Sequence, residues 1–297
     1  MTSLEQLLAD HECLLLDGAM GTELMNAGLE AGDPPEPWNV EQPDVILNIH
    51  NSYLETGAQI ILTNSFGGNR FRLAFHDNAD RVDELNKAAA EVARQAVAAA
   101  DHPALVAGSI GPTGAIMYPV GGLDFDEAKA AFGAQAAALE SGGADLIWIE
   151  TMSDLKEVEA AYLGARESTS LPIAATMTFD TNGRTMMGVT PEQAFEALAA
   201  MDLVAFGANC GNGPEEIETV IAKMKAMGPD RPLIAKSNAG IPKMVKLEVV
   251  YSGTPEVMRQ HASTVRQLGA SLIGGCCGST PVHLQAMAEA LDDCRPG

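Results

Sequence analysis

Positive charge is scarce in this 297-residue chain, in which 18 lysines and arginines stand against 40 aspartates and glutamates and give a net charge of −22. So acidic a chain disfavours nucleic acid and anionic membranes as partners. No stretch approaches the roughly 18 apolar residues of a membrane span. No basic region precedes an apolar stretch at the N-terminus, so we expect no signal peptide and a cytoplasmic protein.

The chain has only five cysteines, and the paired spacing of a zinc finger is absent. An odd number of cysteines without an export signal indicates free or metal-bound thiols in a reducing compartment. We interpret Cys13 as a core residue because it begins an apolar run, and Cys294, in the terminal tail, as incidental. Cys210, Cys276 and Cys277 remain to be explained.

Short apolar runs alternate with alanine-rich helical patterns along the whole chain. The predicted strands are 13–16, 59–63, 105–109, 146–149, 173–178, 203–206, 233–235 and 272–273, and the predicted helices are 80–100, 126–141, 155–167, 191–200, 215–227 and 255–268. Thr190-Pro191-Glu192-Gln193 supplies an N-cap, a proline in the first turn and a capping-box glutamine, and Thr254-Pro255 and Thr280-Pro281 repeat the cap followed by proline. Residues 31–39 and 240–252 are predicted as long loops.

About eight strand–helix repeats predict parallel strands that are buried on both faces. At this length the (β/α)8 TIM barrel is the natural solution, as one domain over residues 1–297, and a doubly wound open sheet is the alternative. In such barrels the chemistry gathers where the strands exit. Polar residues follow the predicted strands at Asp17, Thr63-Asn64-Ser65, Glu150, Thr178, Asn209-Cys210, Lys236-Ser237-Asn238 and Cys276-Cys277.

Cys210, Cys276 and Cys277 follow two of these strands, among glycines. Three protein thiolates suit zinc, and three ligands leave its fourth position open for a substrate. That open position is typical of a catalytic site. The alternative is that these cysteines are small buried apolar residues.

Four segments together resemble the zinc-dependent homocysteine S-methyltransferases, the family of betaine-homocysteine methyltransferase and of the homocysteine-binding barrel of methionine synthase. They are Asp17-Gly18-Ala19-Met20-Gly21-Thr22, Thr63-Asn64-Ser65-Phe66-Gly67, Asn209-Cys210 and Gly274-Gly275-Cys276-Cys277-Gly278. The resemblance implies a barrel that binds Zn²⁺ through Cys210, Cys276 and Cys277. It also implies methionine formation by attack of the substrate thiolate on a methyl group.

The same resemblance implies roles for other strand-exit residues. Asp17 and Glu150 would face the ammonium group of homocysteine, and Gly18, Ala19 and Thr63 would offer groups to its carboxylate. Apart from the resemblance, Asn209 lies next to Cys210 in the sequence, and we expect it to support this cysteine through hydrogen bonds. The alternatives are a turn residue for Asp17, a helix-dipole acid for Glu150 and a plain strand-end asparagine for Asn209.

The methyl donor is less well defined by the sequence. Trp38 lies where betaine enzymes carry a donor-contacting tryptophan, and Phe66 is near the same site, but Gly67-Gly68 stand where those enzymes place a tyrosine. We expect betaine or a similar onium compound. S-methylmethionine and methylcobalamin on a separate carrier protein are the other candidates.

Two other classes of function stay open from the sequence. One is a non-catalytic zinc- or homocysteine-binding subunit of a methyl-transfer complex. The other is an aldolase or lyase with Lys236 as a Schiff-base lysine, which leaves the three cysteines unexplained.

Overall fold

The computed structural model describes residues 3–245 and 248–291. The strands are β1 (Leu14–Leu15), β2 (Ile60–Leu62), β3 (Leu105–Ile110), β4 (Leu146–Met152), β5 (Ile173–Met177), β6 (Ala205–Cys210), β7 (Leu233–Ser237), β8 (Pro242–Val245), β9 (Glu248–Tyr251) and β10 (Ala270–Gly275). The helices are α1 (Leu4–Asp10), α2 (Met20–Asn26), α3 (Trp38–Glu41), α4 (Pro43–Leu54), α5 (Arg70–Ala74), α6 (Val82–Ala99), α7 (Phe125–Ser141), α8 (Leu155–Ser168), α9 (Pro191–Ala199), α10 (Pro214–Ala226), α11 (Pro255–Gln267) and α12 (Pro281–Ala290).

Eight of the strands pair side by side in the order β1-β10-β7-β6-β5-β4-β3-β2, and the pairs are parallel. The two ends of this sheet meet, because Leu16 forms a parallel bridge with Ile60. Gln59 N donates to Leu15 O at 2.8 Å and Asp17 N to Ile60 O at 3.0 Å. The closed ring confirms the predicted (β/α)8 barrel and excludes the open sheet.

The core has two layers, as expected when parallel strands are covered on both faces. One cluster fills the barrel with alternate strand residues such as Leu14, Ile60, Trp148 and Ile234. Leu4 and Leu7 of α1 belong to the same cluster, so α1 closes the N-terminal end of the barrel. The opposite, C-terminal end therefore remains available for a site.

The capping signals in the sequence predicted the helix starts well. Thr190 and Gln193 form the capping box at α9, and Thr254 caps α11 by accepting from Val257 N. The prediction of a loop over residues 240–252 was wrong, because this segment contains the antiparallel pair β8–β9. The helix α4, residues 43–54, had no counterpart among the predicted helices. The pattern of α4 is obscured by Asn, His and Ser, but tertiary burial of Ile46, Ile49 and Tyr53 stabilises it.

No helix in the described ranges is long and apolar enough to cross a membrane. Cys13 is 1% exposed, as expected of a core residue. It is also disulfide-bonded, so the expectation of a free or metal-bound thiol was wrong for this cysteine. Cys294 lies outside the described residues.

Candidate metal centre

Three cysteines meet at the C-terminal mouth of the barrel. Cys210 is the last residue of β6, and Cys276 and Cys277 follow β10, while β7 lies between these two strands. Backbone bonds from Cys276 N to Ser237 O (2.7 Å) and from Ala239 N to Cys277 O (2.9 Å) tie the exits of β10 and β7 together. As a result the three Sγ atoms all lie within 4.8 Å of one another.

A left-handed turn aims Cys210 at this cluster. Its φ of +66° lies in a region that costs a non-glycine residue about 1–3 kcal/mol. Gly211 continues the turn at φ +71°, and Asn238 holds it by donating Nδ2 to Gly211 O at 2.7 Å. The hydrogen bond from Asn238 thus keeps the strained backbone at Cys210 in the conformation that directs its sulfur toward the other two cysteines.

The sulfur geometry fits a tetrahedral metal. Zinc–sulfur bonds of about 2.3 Å place two thiolates of one tetrahedral site roughly 3.8 Å apart. The distance between Cys210 Sγ and Cys277 Sγ is 3.9 Å. Hydrogen bonds from Cys210 and Cys276 hold the pKa of Cys277 well below its usual value, so the cluster favours a thiolate. All three residues are half-buried and line a cavity.

A buried ion pair lies deeper in the same mouth. Lys236 Nζ donates to Asp17 Oδ1 at 2.7 Å, and both side chains are almost fully buried. Leu62 N donates to Asp17 Oδ2 at 2.7 Å. Burial lowers the pKa of Lys236, but Asp17, Glu150 and Cys276 together raise it above the ordinary value. Lys236 is therefore a fixed cation, which disfavours a Schiff-base role.

Glu150 is the second carboxyl group of the mouth. Its Oε1 accepts from Ser109 Oγ at 2.5 Å. Burial raises the pKa of Glu150 to about 7, although the Lys236 ammonium lowers it. The group therefore changes charge near neutrality.

Asn209 connects the carboxyl side of the mouth to the sulfurs. Its Oδ1 accepts from Thr151 N at 2.9 Å and from Thr176 Oγ1 at 2.7 Å. Its Nδ2 donates to Thr151 Oγ1 at 2.7 Å and contacts Cys276 Sγ at 3.7 Å. These bonds suit a residue that orients the cysteines.

The cavity in the barrel mouth has a volume of about 320 Å³. Most of the site residues expected from the sequence line it, and so do several side chains that were not expected to belong to the homocysteine site. From the first group come Asp17, Gly18, Thr63, Phe66, Glu150, Cys210, Cys276 and Cys277, and from the second come Met20, Met25, Lys236 and Tyr251. Asn209 lies behind this lining. Trp38 is outside it and packs against the outer core.

Tyr251 comes from the end of β9, in the insertion that the sequence predicted as a loop. Burial raises its pKa and the neighbouring Cys277 raises it further, so the phenol stays protonated beside the sulfurs. Gly278 makes room for it, since a Cβ there would lie 2.1 Å from the ring. The position of this insertion, directly after β7, was the one sequence signal that pointed to the mouth.

Neighbouring side chains lie close to Gly67 and Gly68, the two glycines that follow Phe66. A Cβ on Gly67 would lie 2.8 Å from Glu36 Oε1, and one on Gly68 would lie 2.2 Å from Asn86 Oδ1. Glu36 Oε1 accepts from Gly67 N at 2.7 Å. A side chain in place of either glycine would therefore require Glu36 or Asn86 to move. The aromatic rings in the cavity lining are Phe66 and Tyr251.

Fold and site together define a (β/α)8 barrel with three cysteines in its mouth that are placed to hold a metal ion. The family model of the homocysteine S-methyltransferases matches residues 14–291. The chain belongs to this family.

Relatives of known sequence and structure agree with this assignment. The chain is 31% identical to a methionine synthase of Mycobacterium leprae over 296 residues and 32% identical to that of Mycobacterium tuberculosis over 290 residues. These matches cover 95% and 93% of this chain but 24% of each relative, so the chain spans about a quarter of their length. The metallated form of the homocysteine methyltransferase MmuM from Escherichia coli superposes with a TM-score of 0.81 at 26% identity, covering 96% of this chain and 99% of that one.

Proposed function

We propose that this chain is a zinc-dependent enzyme that methylates the sulfur of homocysteine and so forms methionine. The observation that carries the proposal is the set of three Sγ atoms within 4.8 Å of one another, lining a cavity of about 320 Å³ beside two buried carboxyl groups. Family membership and the likeness to a metallated homocysteine methyltransferase support it.

Cys210, Cys276 and Cys277 would hold the zinc ion, and their sulfur separations fit it. When bound, zinc with three protein ligands supplies an open position at which a thiol ionises near neutral pH. The residues of the chain orient the substrate at that position. Glu150, as a carboxylate, attracts the substrate ammonium group, and the apolar part of the lining excludes water from the sulfur.

For the methyl donor we propose betaine or a similar onium compound. Phe66 and Tyr251 both line the cavity, and aromatic faces attract cationic methyl groups. S-methylmethionine belongs to the same chemical class of donor. Trp38 lies outside the cavity lining, so its proposed contact with the donor would require a rearrangement of the loop that carries it.

A second candidate, methylcobalamin on a separate carrier protein, is favoured by a different observation. Among the described residues, the most exposed large apolar side chains all lie in segments that follow a barrel strand. Each segment runs from the end of the strand to the first turn of the outer helix that returns along the barrel. They are Met25, Val40, Phe75, Ile116, Tyr118, Val120, Met186, Ile241, Val257 and Val282. Such a rim suits a protein partner over the mouth. This chain matches 24% of the length of the methionine synthases, and the remaining part of those proteins is long enough to contain such a partner.

The proposal is tested with purified, zinc-loaded protein. Homocysteine is supplied with betaine, S-methylmethionine, free methylcobalamin or a methylated cobalamin carrier, and methionine is measured. We expect methionine with at least one donor and none with the Cys210→Ala variant. Turnover with the carrier alone would replace the onium donor by the second candidate. No methionine with any donor would contradict the proposed function.

A further inference from the structure

Lys236 is the only positively charged side chain among the described residues that line the cavity. It lies near the end of β7, paired in the sheet with Asn209 on one side and Gly274 on the other. Its side chain is 3% exposed. A buried lysine is costly unless it is paired, and such placements are therefore informative about function.

The ion pair with Asp17 uses only part of the bonding capacity of Lys236. An ammonium group has three donors, and the described partner of Nζ is Asp17 Oδ1 alone. Since Lys236 also lines the cavity, donors remain for a ligand. Asp17, in contrast, has both oxygens engaged, by Lys236 and by Leu62 N. Asp17 therefore serves mainly to hold the Lys236 ammonium group.

Two of the three residues expected to receive the substrate carboxylate, Ala19 and Thr63, are also engaged. Ala19 N donates to Ser279 Oγ at 3.2 Å. Thr63 Oγ1 lies 2.6 Å from Ser65 Oγ and accepts from Ser109 N at 3.0 Å. An anion entering the cavity thus finds the Lys236 ammonium as its charged partner. Glu150 is the acid of the cavity whose Oε2 makes no hydrogen bond to a described residue.

We propose that Lys236 is a specificity-determining residue, which binds the α-carboxylate of the amino-acid substrate while Glu150 faces its ammonium group. This inference rests on the proposed function and deepens it, because it selects α-amino acid thiols over simple thiols and amines. Asp17 holds Lys236 in place. A buried, charge-assisted hydrogen bond of this kind changes affinity about 10- to 100-fold.

The test compares ligands with and without the carboxylate on metal-free protein, so that it does not depend on turnover. Calorimetry gives the Kd of L-methionine and of 3-(methylthio)propylamine, which is methionine without its carboxylate. The wild type should prefer methionine by about 10- to 100-fold. In Lys236→Met that preference should disappear, through weaker binding of methionine and unchanged binding of the amine.

Two further variants keep the test decisive. Lys236→Gln retains a donor toward Asp17 and replaces Lys236→Met if the latter does not fold. Lys156→Met removes an equal charge from the exposed lysine that donates to Tyr118 O, outside the cavity lining, and should keep the wild-type preference. KM values of the zinc-loaded variants for homocysteine and for 3-aminopropanethiol should show the same pattern.

Equal loss of affinity for both ligands in Lys236→Met would mean that Lys236 only maintains the fold or the charge of the site, and would overturn the assignment. A wild type that shows no preference for methionine would also overturn it. Either result can occur in an enzyme that still makes methionine, whereas absence of methyl transfer from every donor defeats the proposed function itself.

Discussion

Asn209 and Thr151 are joined by two hydrogen bonds across the barrel mouth, one to the backbone N–H of Thr151 and one to its hydroxyl. Thr151 has a left-handed backbone, with a φ of +61°, and follows Glu150 directly. Asn209 precedes Cys210, which is also left-handed. This one side chain therefore couples the two strained strand exits that carry a carboxyl group and a thiol.

Replacing Asn209 by alanine should destabilise the fold and loosen the metal centre. The side chain is fully buried and its loss leaves Thr151 N and Thr176 Oγ1 without their partner, so we expect a loss of about 2–4 kcal/mol in the free energy of unfolding. Denaturant unfolding and zinc affinity are the measurements. Asn212→Ala, at an exposed position three residues later, is the control and should change stability by less than about 1 kcal/mol. Equal effects of the two variants would show that Asn209 has no special role.

Cys210→Ala should abolish zinc binding and methyl transfer while the barrel remains folded. The thiol lies at the mouth and not in the barrel interior, so the metal-free variant should unfold at nearly the same temperature as metal-free wild type. Zinc content by atomic spectroscopy and thermal unfolding are the measurements. A variant that keeps one zinc per chain and full activity would contradict the three-cysteine centre.

Methionine binding to the metal-free protein should strengthen as the pH rises through about 7. The pKa of Glu150 is raised to about 7 by burial, so the group is neutral below this pH and a carboxylate above it. Only the carboxylate attracts the ligand ammonium, which stays protonated in this window. Kd is measured from pH 6 to pH 8.

Two variants identify the titrating group. Glu150→Gln should remove the pH dependence and bind methionine weakly throughout. Glu157→Gln should retain it, because Glu157 is buried against Thr113 and does not line the cavity. A pH dependence that survives in Glu150→Gln would assign the titration to another group.

Gly111→Ala should impair donor binding. A Cβ at Gly111 would lie 2.5 Å from the Phe66 ring, which lines the cavity, so the ring must move. We expect a KM for the methyl donor raised at least about tenfold, which corresponds to roughly 1.4 kcal/mol, with a smaller change for homocysteine. Gly122→Ala, in the same loop with no atom within 4 Å of the added Cβ, is the control. Comparable increases in both KM values would argue against a donor role for Phe66.

Hydrophobic periodicity and helix-capping signals were sufficient to predict the barrel from the sequence. Each of the eight apolar runs overlaps one of the eight barrel strands. The Thr-Pro signals mark the starts of α9, α11 and α12, because hydrophobic pattern and local hydrogen bonding act over a few residues. The helix α4 and the pair β8–β9 were missed, since their stability comes from packing against distant parts of the chain.

The order of apolar runs and polar residues along the chain was enough to place Cys210, Cys276 and Cys277 at strand exits, and hence at one mouth once the barrel closes. The pairing of the polar groups in that mouth followed only from the folded arrangement. It engages both oxygens of Asp17 with Lys236 and Leu62, brings Tyr251 to the sulfurs and leaves Trp38 outside the cavity lining. This difference arises because strand position follows from local pattern, whereas the partner of a buried charge depends on residues far apart in sequence, such as Asp17 and Lys236.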